Sequence, residues 1–377
     1  LKTKICFVVS TGMTVNAFLQ QPIKLLSQHY DIYIALDTSA GEALHGLEDI
    51  VTILPVAIKR KISLWQDLAA VFQLFKLFQK HNFRIVHSVT PKAGLLAMLA
   101  AALAQVDIRI HTFTGQVWAT KLGFGRAALK KLDKLIGCFC THILVDSPSQ
   151  RQFLLDEGVI APEKSCVLQK GSISGVDVNR FKPNYSARLR IRESLQIADS
   201  DVVFLFIGRL NRDKGILDLA VAFSNVACRH ANARLLIVGV DEANLSEEIH
   251  HITENFEKQV EFIEFTPVPE EYMAASDVLC LPSYREGFGN VIIEAAAVGI
   301  PTIGSKIYGI TDAVVDGYTG LLFTPRDVAA LESCMEKMVG NAELRQNLGK
   351  AAHNRACEDF SSQKLSAAWL KYYQELS

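Results

Sequence analysis

The strongest constraint on this chain is an alternation that runs its whole length and restarts halfway. Short apolar runs at 4–10, 31–36, 50–56, 84–88, 109–114, 142–147 and 166–171 form a first series. Stretches such as 15–29 and 64–80 lie between them and place apolar residues three and four apart. Strand-length runs that are apolar throughout, separated by amphipathic helices, predict a parallel sheet covered on both faces. A second series begins at 202–208 and continues at 233–239, 260–265, 278–283, 301–305 and 320–323. Residues 171–183 are rich in Gly and Ser, end on Pro183 and have no sustained period, so they read as a linker. The expectation is an α/β protein of two tandem Rossmann-like, doubly wound domains, 1–171 and 184–361, joined by a linker at 172–183. Ligands of such sheets bind at the carboxyl ends of the strands, which makes the cleft between the domains the expected site. A last helical stretch at 362–377, carrying Trp369, Tyr372 and Tyr373, is expected to pack back on the first domain.

Composition narrows the function. A chain of 377 residues, 49% hydrophobic and 21% charged, is globular and is neither collagenous, disordered nor a disulfide mini-protein. The net charge of -1 argues against a nucleic-acid partner, which calls for an excess of basic residues. The balance hides an asymmetry: residues 1–180 hold 20 Lys and Arg against 13 Asp and Glu, and the remainder holds 19 against 27. A basic first half suits an anionic membrane or a phosphorylated substrate; composition drift between domains accounts for it equally. None of the 8 Cys forms a C-x-x-C pair, so neither a zinc ribbon nor a redox motif is expected, and a reducing compartment fits. The longest apolar run, 93–104, is too short to span a bilayer, and the first strand leaves no room for a signal peptide. A soluble or peripheral protein is expected.

Two strand-to-helix junctions carry chemistry. Gly208-Arg-Leu-Asn-Arg-Asp-Lys-Gly215 follows a strong strand and precedes a helix near Ile216. It sets Arg209 and Lys214 beside a helix N-terminus, a site for a diphosphate, or else an ordinary loop with solvated charges. Pro282-Ser-Tyr-Arg-Glu-Gly-Phe-Gly-Asn-Val-Ile-Ile-Glu294 leaves another strand for a helix near Asn290. Gly287 and Gly289 allow a ligand close to the backbone, and the amides of Gly289, Asn290 and Val291 suit phosphate oxygens. Glu286 suits sugar hydroxyls and Glu294 a ribose diol. Followed by Ala-Ala-Ala-Val-Gly, Glu294 faces burial, which an unpaired carboxylate resists. Asp199-Ser-Asp201 has the form of a metal-binding D-x-D, but it precedes its strand and reads as a turn.

These motifs carry a resemblance. Glu286 and Glu294 with seven residues between them, the Gly208–Gly215 motif, Gly175-Val-Asp-Val-Asn-Arg-Phe181, and Asp312-Ala-Val-Val-Asp-Gly-Tyr-Thr-Gly-Leu-Leu322 together resemble family 4 retaining glycosyltransferases of the GT-B fold. Residues 284–316 are further similar to bacterial capsule, O-antigen and glycan-assembly members that transfer N-acetylhexosamine from UDP donors. The resemblance implies a nucleotide sugar on the second domain, with Glu286, Arg209 and Lys214 as the catalytic set. Arg209 and Lys214 neutralise the leaving diphosphate, Glu286 grips the sugar and Glu294 the ribose. Phe265, within 264–266, brackets the base, and Gly208, Phe288, Gly289, Asn290 and Val291 complete the donor contacts. No cofactor and no metal is expected. The implied acceptor is a polyprenyl-diphosphate-linked saccharide, and the implied place is cytoplasmic, peripheral at the inner face of the plasma membrane. A sugar-nucleotide epimerase of the same fold and a non-catalytic nucleotide-sugar-binding protein are the alternatives.

The first domain departs from the family pattern. Where many members have paired glycines, Ser10-Thr-Gly-Met13 leaves Gly12 alone to approach the donor. Where many have a His, this chain has Thr114, expected to take the sugar contact; His111 lies on the opposite strand face and reads as a core residue. Lys92 suits either an acceptor phosphate or solvent. Residues 116–137 interleave Trp118, Leu122, Phe124, Leu129, Leu132, Leu135 and Ile136 with Lys121, Arg126, Lys130, Lys131 and Lys134. Such a segment suits an anionic membrane surface, or packs its apolar face on the sheet. Lys59, Arg60 and Lys61 with Trp65 form a second basic patch.

Overall fold

Parallel strands can pair only through a crossover, and this chain supplies helices for the purpose. The computed structural model describes residues 2–39, 41–59 and 63–376. Two compact units result: one runs to Gly175 and includes the C-terminal helix, the other is Val176–Ser361.

In the first unit the strands are β1 (Lys4–Val8), β2 (Asp31–Leu36), β3 (Thr52–Pro55), β4 (Ile85–Val89), β5 (Ile108–Phe113), β6 (His142–Val145) and β7 (Ser165–Cys166). They form a parallel sheet in the order β3-β2-β1-β4-β5-β6-β7. The last strand is only two residues long, because the chain turns at 168–171, where the Gly171 N–H donates to the Leu168 carbonyl. The expected helix at 15–29 is broken into Gly12–Thr14, a π-helical turn Val15–Leu19 and Gln20–Leu26. Pro22 accounts for the break: it has no N–H to donate, and its ring crowds the carbonyl four residues back.

The C-terminal helix Ser362–Leu376 belongs to this unit and is fixed by aromatic and polar contacts. Trp369 is buried and donates its indole N–H to the Ile173 carbonyl at 3.0 Å. The His87 ring stacks on both Phe7 and Trp369, with Nδ1 2.6 Å from the Tyr373 hydroxyl and Nε2 2.7 Å from Thr112 Oγ1. Burial drives the His87 pKa well below its ordinary value, so the imidazole in this stack is neutral.

In the second unit the strands are β8 (Val202–Ile207), β9 (Ala233–Val238), β10 (Val260–Ile263), β11 (Val278–Leu281), β12 (Thr302–Ser305) and β13 (Gly320–Phe323). Their order is β10-β9-β8-β11-β12-β13, again parallel. The alternation of β8 divides its side chains between two cores: Val203 and Leu205 enter one, Val202, Phe204 and Phe206 the other. Both sheets thus have the doubly wound order, whose direction reverses between β1 and β4 and between β8 and β11. Asp201 stands in the turn before β8, paired with Arg234 at 2.9 Å and accepting the Ala198 N–H, which is the turn role expected of that motif.

Replacing Trp369 with Ala removes the ring that closes the His87 stack. A loss of about 3–5 kcal/mol is expected, the range for deleting a buried Trp side chain. Urea unfolding of the parent and the variant measures it; an unchanged midpoint would show that the C-terminal helix contributes little to this unit.

Candidate functional site

The second sheet reverses direction between β8 and β11, and the loops leaving those two strands meet there. Gly215 makes the meeting possible. Its φ is +68°, and a Cβ on it would lie 2.0 Å from the Pro282 carbonyl oxygen, so no larger residue fits. Three polar contacts then lock the loops. The Tyr284 N–H donates to the Asp213 carbonyl at 2.8 Å, Arg285 Nε reaches Asp213 Oδ2 at 2.7 Å, and the Tyr284 hydroxyl donates to Asp218 Oδ2 at 2.8 Å.

This framework brings Lys214 and Glu286 together. Lys214 Nζ lies 2.5 Å from Glu286 Oε1, and the Ser283 hydroxyl donates to the same oxygen at 2.8 Å. Gly208 lies just past β8, and Arg209 follows it with its side chain 59% exposed at the sheet's carboxyl edge. The helix Asn290–Val298 starts after Gly289 without a side-chain cap, so the turn 289–291 forms its N-terminal end. Glu294 sits within that helix. Burial pushes its carboxyl up to about 7, against the pull of the Arg180 cation and with Glu270 adding to the rise. Arg180 is itself paired with Glu270 at 2.9 Å. Phe265, just past β10, is exposed at the same edge.

Several expected contacts are corrected. Phe288 is buried against Phe360, ring centroids 5.2 Å apart, so its side chain belongs to the core and cannot face a donor. The space that Gly12 leaves open is filled from within: a Cβ there would lie 3.1 Å from Glu42 Oε2, which accepts the Met13 N–H at 2.8 Å. The Thr114 carbonyl is already claimed by the side-chain amides of Gln116 and Gln150, each at 2.6 Å, which leaves the expected sugar contact to its side chain. Lys92 pairs with Asp67 at 2.7 Å. Trp118 is not interfacial; it is buried and donates to Asp133 at 2.7 Å. Arg126 and Lys130 lie over its ring and pair with Glu157. His111 is a core residue, as its parity suggested: it bonds the Ser88 hydroxyl, and burial lowers its pKa to about 3. Of the second basic patch, Arg60 and Lys61 lie outside the described residues.

Sequence reasoning also missed residues. Glu242, on the loop after β9, places both carboxylate oxygens 3.0 Å from Arg209 Nη1. Sequence distance hides it, since only the β8–β9 pairing brings the two together. Thr90, at the reversal point of the first sheet, has φ +78° and ψ 143°, a rare conformation for a β-branched residue, and its Oγ1 lies 3.2 Å from Ser10 Oγ. Its place before Pro91 accounts for the extended ψ but gives no sign of the positive φ.

Known proteins resemble this chain in sequence and fold. Residues 187–355 match the family model of glycosyl transferases group 1, and residues 24–172 match that of glycosyltransferase family 4. The capsular polysaccharide biosynthesis glycosyltransferase CapM of Staphylococcus aureus is 30% identical over 364 residues, 96% of this chain and 94% of that protein. An Escherichia coli protein named UDP-Gal:alpha-D-GlcNAc-diphosphoundecaprenol alpha-1,3-galactosyltransferase is 26% identical over 91% of this chain and 88% of its own. Among solved structures, HepE of Anabaena in complex with UDP and glucose superposes with a TM-score of 0.84 at 20% identity, covering 99% of both chains, a likeness of fold.

The raised pKa of Glu294 has a consequence for stability. Its ordinary value is 4.5 and its value in the folded protein about 7, so across that interval the folded state binds the extra proton. The stabilisation is complete below the lower value and is lost as pH rises through the upper one. Glu294→Gln removes this titration. Its melting temperature relative to the parent should therefore rise between about pH 5 and about pH 8. A difference that does not change with pH would refute the shift.

Proposed function

This chain belongs to glycosyltransferase family 4, and from that premise we propose that it moves a sugar from a UDP-sugar to a lipid-linked saccharide, with retention at the anomeric carbon. The observation that carries the reading is the contact between Lys214 and Glu286 at the reversal point of a doubly wound sheet, where such folds bind ligands. The proposed donor is UDP carrying an N-acetylated hexosamine. HepE, the fold neighbour, binds UDP and glucose, which supports a nucleotide-sugar donor. The acceptor follows from relatives: the E. coli protein's name specifies a diphosphoundecaprenol-linked sugar, and CapM's name specifies capsular polysaccharide biosynthesis.

Chemically, the barrier to transfer is the negative charge that develops on the departing diphosphate. In this reading Lys214, Arg209 and the amide turn at 289–291 are fixed where that charge appears, so they stabilise the transition state more than the ground state. Glu286 accepts hydrogen bonds from the sugar and orients its anomeric carbon. Glu294, two turns into the helix, accepts from the ribose. The cations take the part a metal ion would otherwise play, so transfer is expected to survive chelation.

The proposal includes a peripheral place at an anionic membrane, borne by the first unit. No helix among the described residues is long and apolar enough to cross a membrane. The helices Leu64–His81, Pro91–Leu103 and Gly123–Phe139 follow strands of the first sheet, so their N-terminal ends lie at its carboxyl edge. Leu64, Trp65, Leu68 and Phe72 form an exposed stripe on the first of these, with Trp65 85% accessible; Phe124, 89% accessible, stands beside Leu122 at the start of the third. Large apolar groups so exposed, with Lys76, Lys121, Lys131 and Lys134 exposed nearby in sequence, suit a lipid interface.

A donor screen by thermal shift tests the activity. At least one UDP-sugar should raise the melting temperature, and Glu286→Gln should abolish transfer to a polyprenyl-diphosphate acceptor while leaving the fold intact. No shift with any donor, or full activity in the variant, would overturn the reading. Flotation with anionic vesicles tests the membrane surface separately. Trp65→Ala with Phe124→Ala, and Lys131→Gln with Lys134→Gln, should each weaken binding, the lysine pair only at low salt; unchanged flotation in both would remove this surface from the proposal.

A further inference from the structure

The two cations of the donor loop already carry carboxylates. Lys214 holds Glu286, which the proposed function assigns to the sugar. Arg209 holds Glu242, to which that function assigns nothing. The Arg209 contact is dictated by backbone register. Beyond β8 and β9 the two chains stay paired: the Gly208 N–H donates to Val238 at 2.9 Å, Leu210 to Val240 at 2.9 Å, and Glu242 to Leu210 at 3.2 Å. The chains are pressed together at this point, since a Cβ on Gly239 would stand 1.8 Å from the Gly208 carbonyl oxygen. Arg209 and Glu242 therefore project from fixed, adjacent positions. The neighbouring Asp241 has a different task. Its carboxylate accepts the N–H groups of Ala243, Leu245 and Ser246 and the Ser246 hydroxyl, closing the turn into the next helix.

We propose that Glu242 is the resident counter-anion of the donor site: it holds the Arg209 guanidinium in place while the site is empty and gives way to a diphosphate oxygen when the nucleotide sugar binds. The proposal rests on the assignment of the diphosphate to Arg209. Both Glu242 oxygens contact Nη1, and among the described residues Nε and Nη2 have no partner. The guanidinium is thus oriented while most of its donors stay available. A phosphate that approaches them meets a carboxylate of like charge, which must move aside. The Glu242 side chain is 35% exposed, so on release it regains water and the exchange is cheap. The same competition acts when the reaction is over. It lowers the affinity for UDP below what two bare cations would give, which favours release of the product. Glu242 is a positioning residue, acting only through Arg209, and its effect should fall on binding.

The test is titration of UDP into the full chain by calorimetry, for the parent, Glu242→Gln, Arg209→Gln and the double variant. Glu242→Gln should tighten UDP by up to about fivefold, the scale of one exposed ion pair. The KM for the donor should fall with it, with no rise in kcat. In the Arg209→Gln background the Glu242 change should have no effect, an outcome that general loss of negative charge would not produce. A merely structural Glu242 would instead weaken UDP binding when replaced. If the parent binds UDP and Glu242→Gln binds it no tighter, or tightens it equally without Arg209, this proposal alone is overturned. If the parent binds no UDP, the donor reading falls and takes this proposal with it.

Discussion

The candidate site depends on one close approach, that of Gly215 to the carbonyl of Pro282. The sheet reverses direction between β8 and β11, so their outgoing loops diverge onto opposite faces unless something draws them together at the edge. A residue without a Cβ, in a left-handed conformation, lets one backbone lie on the other. The contacts between the two loops follow from that approach. Asp213 can then bind both Tyr284 and Arg285, and Lys214 can reach Glu286 across 72 positions of sequence. The pairing of Lys214 with Glu286 is therefore a consequence of sheet topology together with one glycine.

Charge is arranged around the site on the same principle. The second unit lies in the acidic part of the chain, yet it carries the cations proposed for a diphosphate. The structure reconciles the two by pairing the cations of these loops with acids: Arg209 with Glu242, Arg212 with Glu248, Lys214 with Glu286 and Arg285 with Asp213. Net charge says little about where an anion binds when compensation is this local. What distinguishes a binding cation from a structural one is whether its partner can leave. Arg192, buried and paired with Asp277 at 2.7 Å, also donates to the Ala275, Ala198 and Asp201 carbonyls and is fixed in the core. Arg209 has only the half-exposed Glu242.

The sequence made much of this legible, and the misses have a common cause. Every strand of both sheets overlaps an apolar run, although β7 shares only Cys166 with its run, because strands in a covered parallel sheet admit few polar residues. The 208–215 and 282–294 segments were readable for a related reason: a loop between strand and helix shows its glycines and charges in one short stretch. Pairings across the sheet were not. Glu242 meets Arg209 through a register that no local pattern encodes, and Glu42 fills the space over Gly12 from a loop after β2. The fate of aromatic residues was equally hidden. Phe288 and Trp118 sit in segments that suit ligand or membrane contact, yet both turn inward, Phe288 to Phe360 and Trp118 to Asp133. Spacing identifies an amphipathic segment but does not say which of its large side chains the core will take.

Function and stability are also separated in space within each unit. The apolar cores lie in the layers against the sheets, while groups held at a cost collect at the carboxyl edges. Glu294 has its carboxyl raised by burial, and Thr90 holds a backbone conformation unfavourable for a β-branched residue. Both carry a cost, since a neutral side chain at the first and a glycine at the second would remove it. Close packing elsewhere tolerates them because the layers beneath are dense and apolar, so the edge can keep polar groups poorly compensated without loosening the sheet. A carboxyl group partly withdrawn from water, with no cation paired to it among the described residues, gains more from hydrogen bonds with a diol than a fully solvated one would. On the proposed donor assignment, the group that burial destabilises is also the group that would bind the ribose, so a cost carried by the fold would serve the donor.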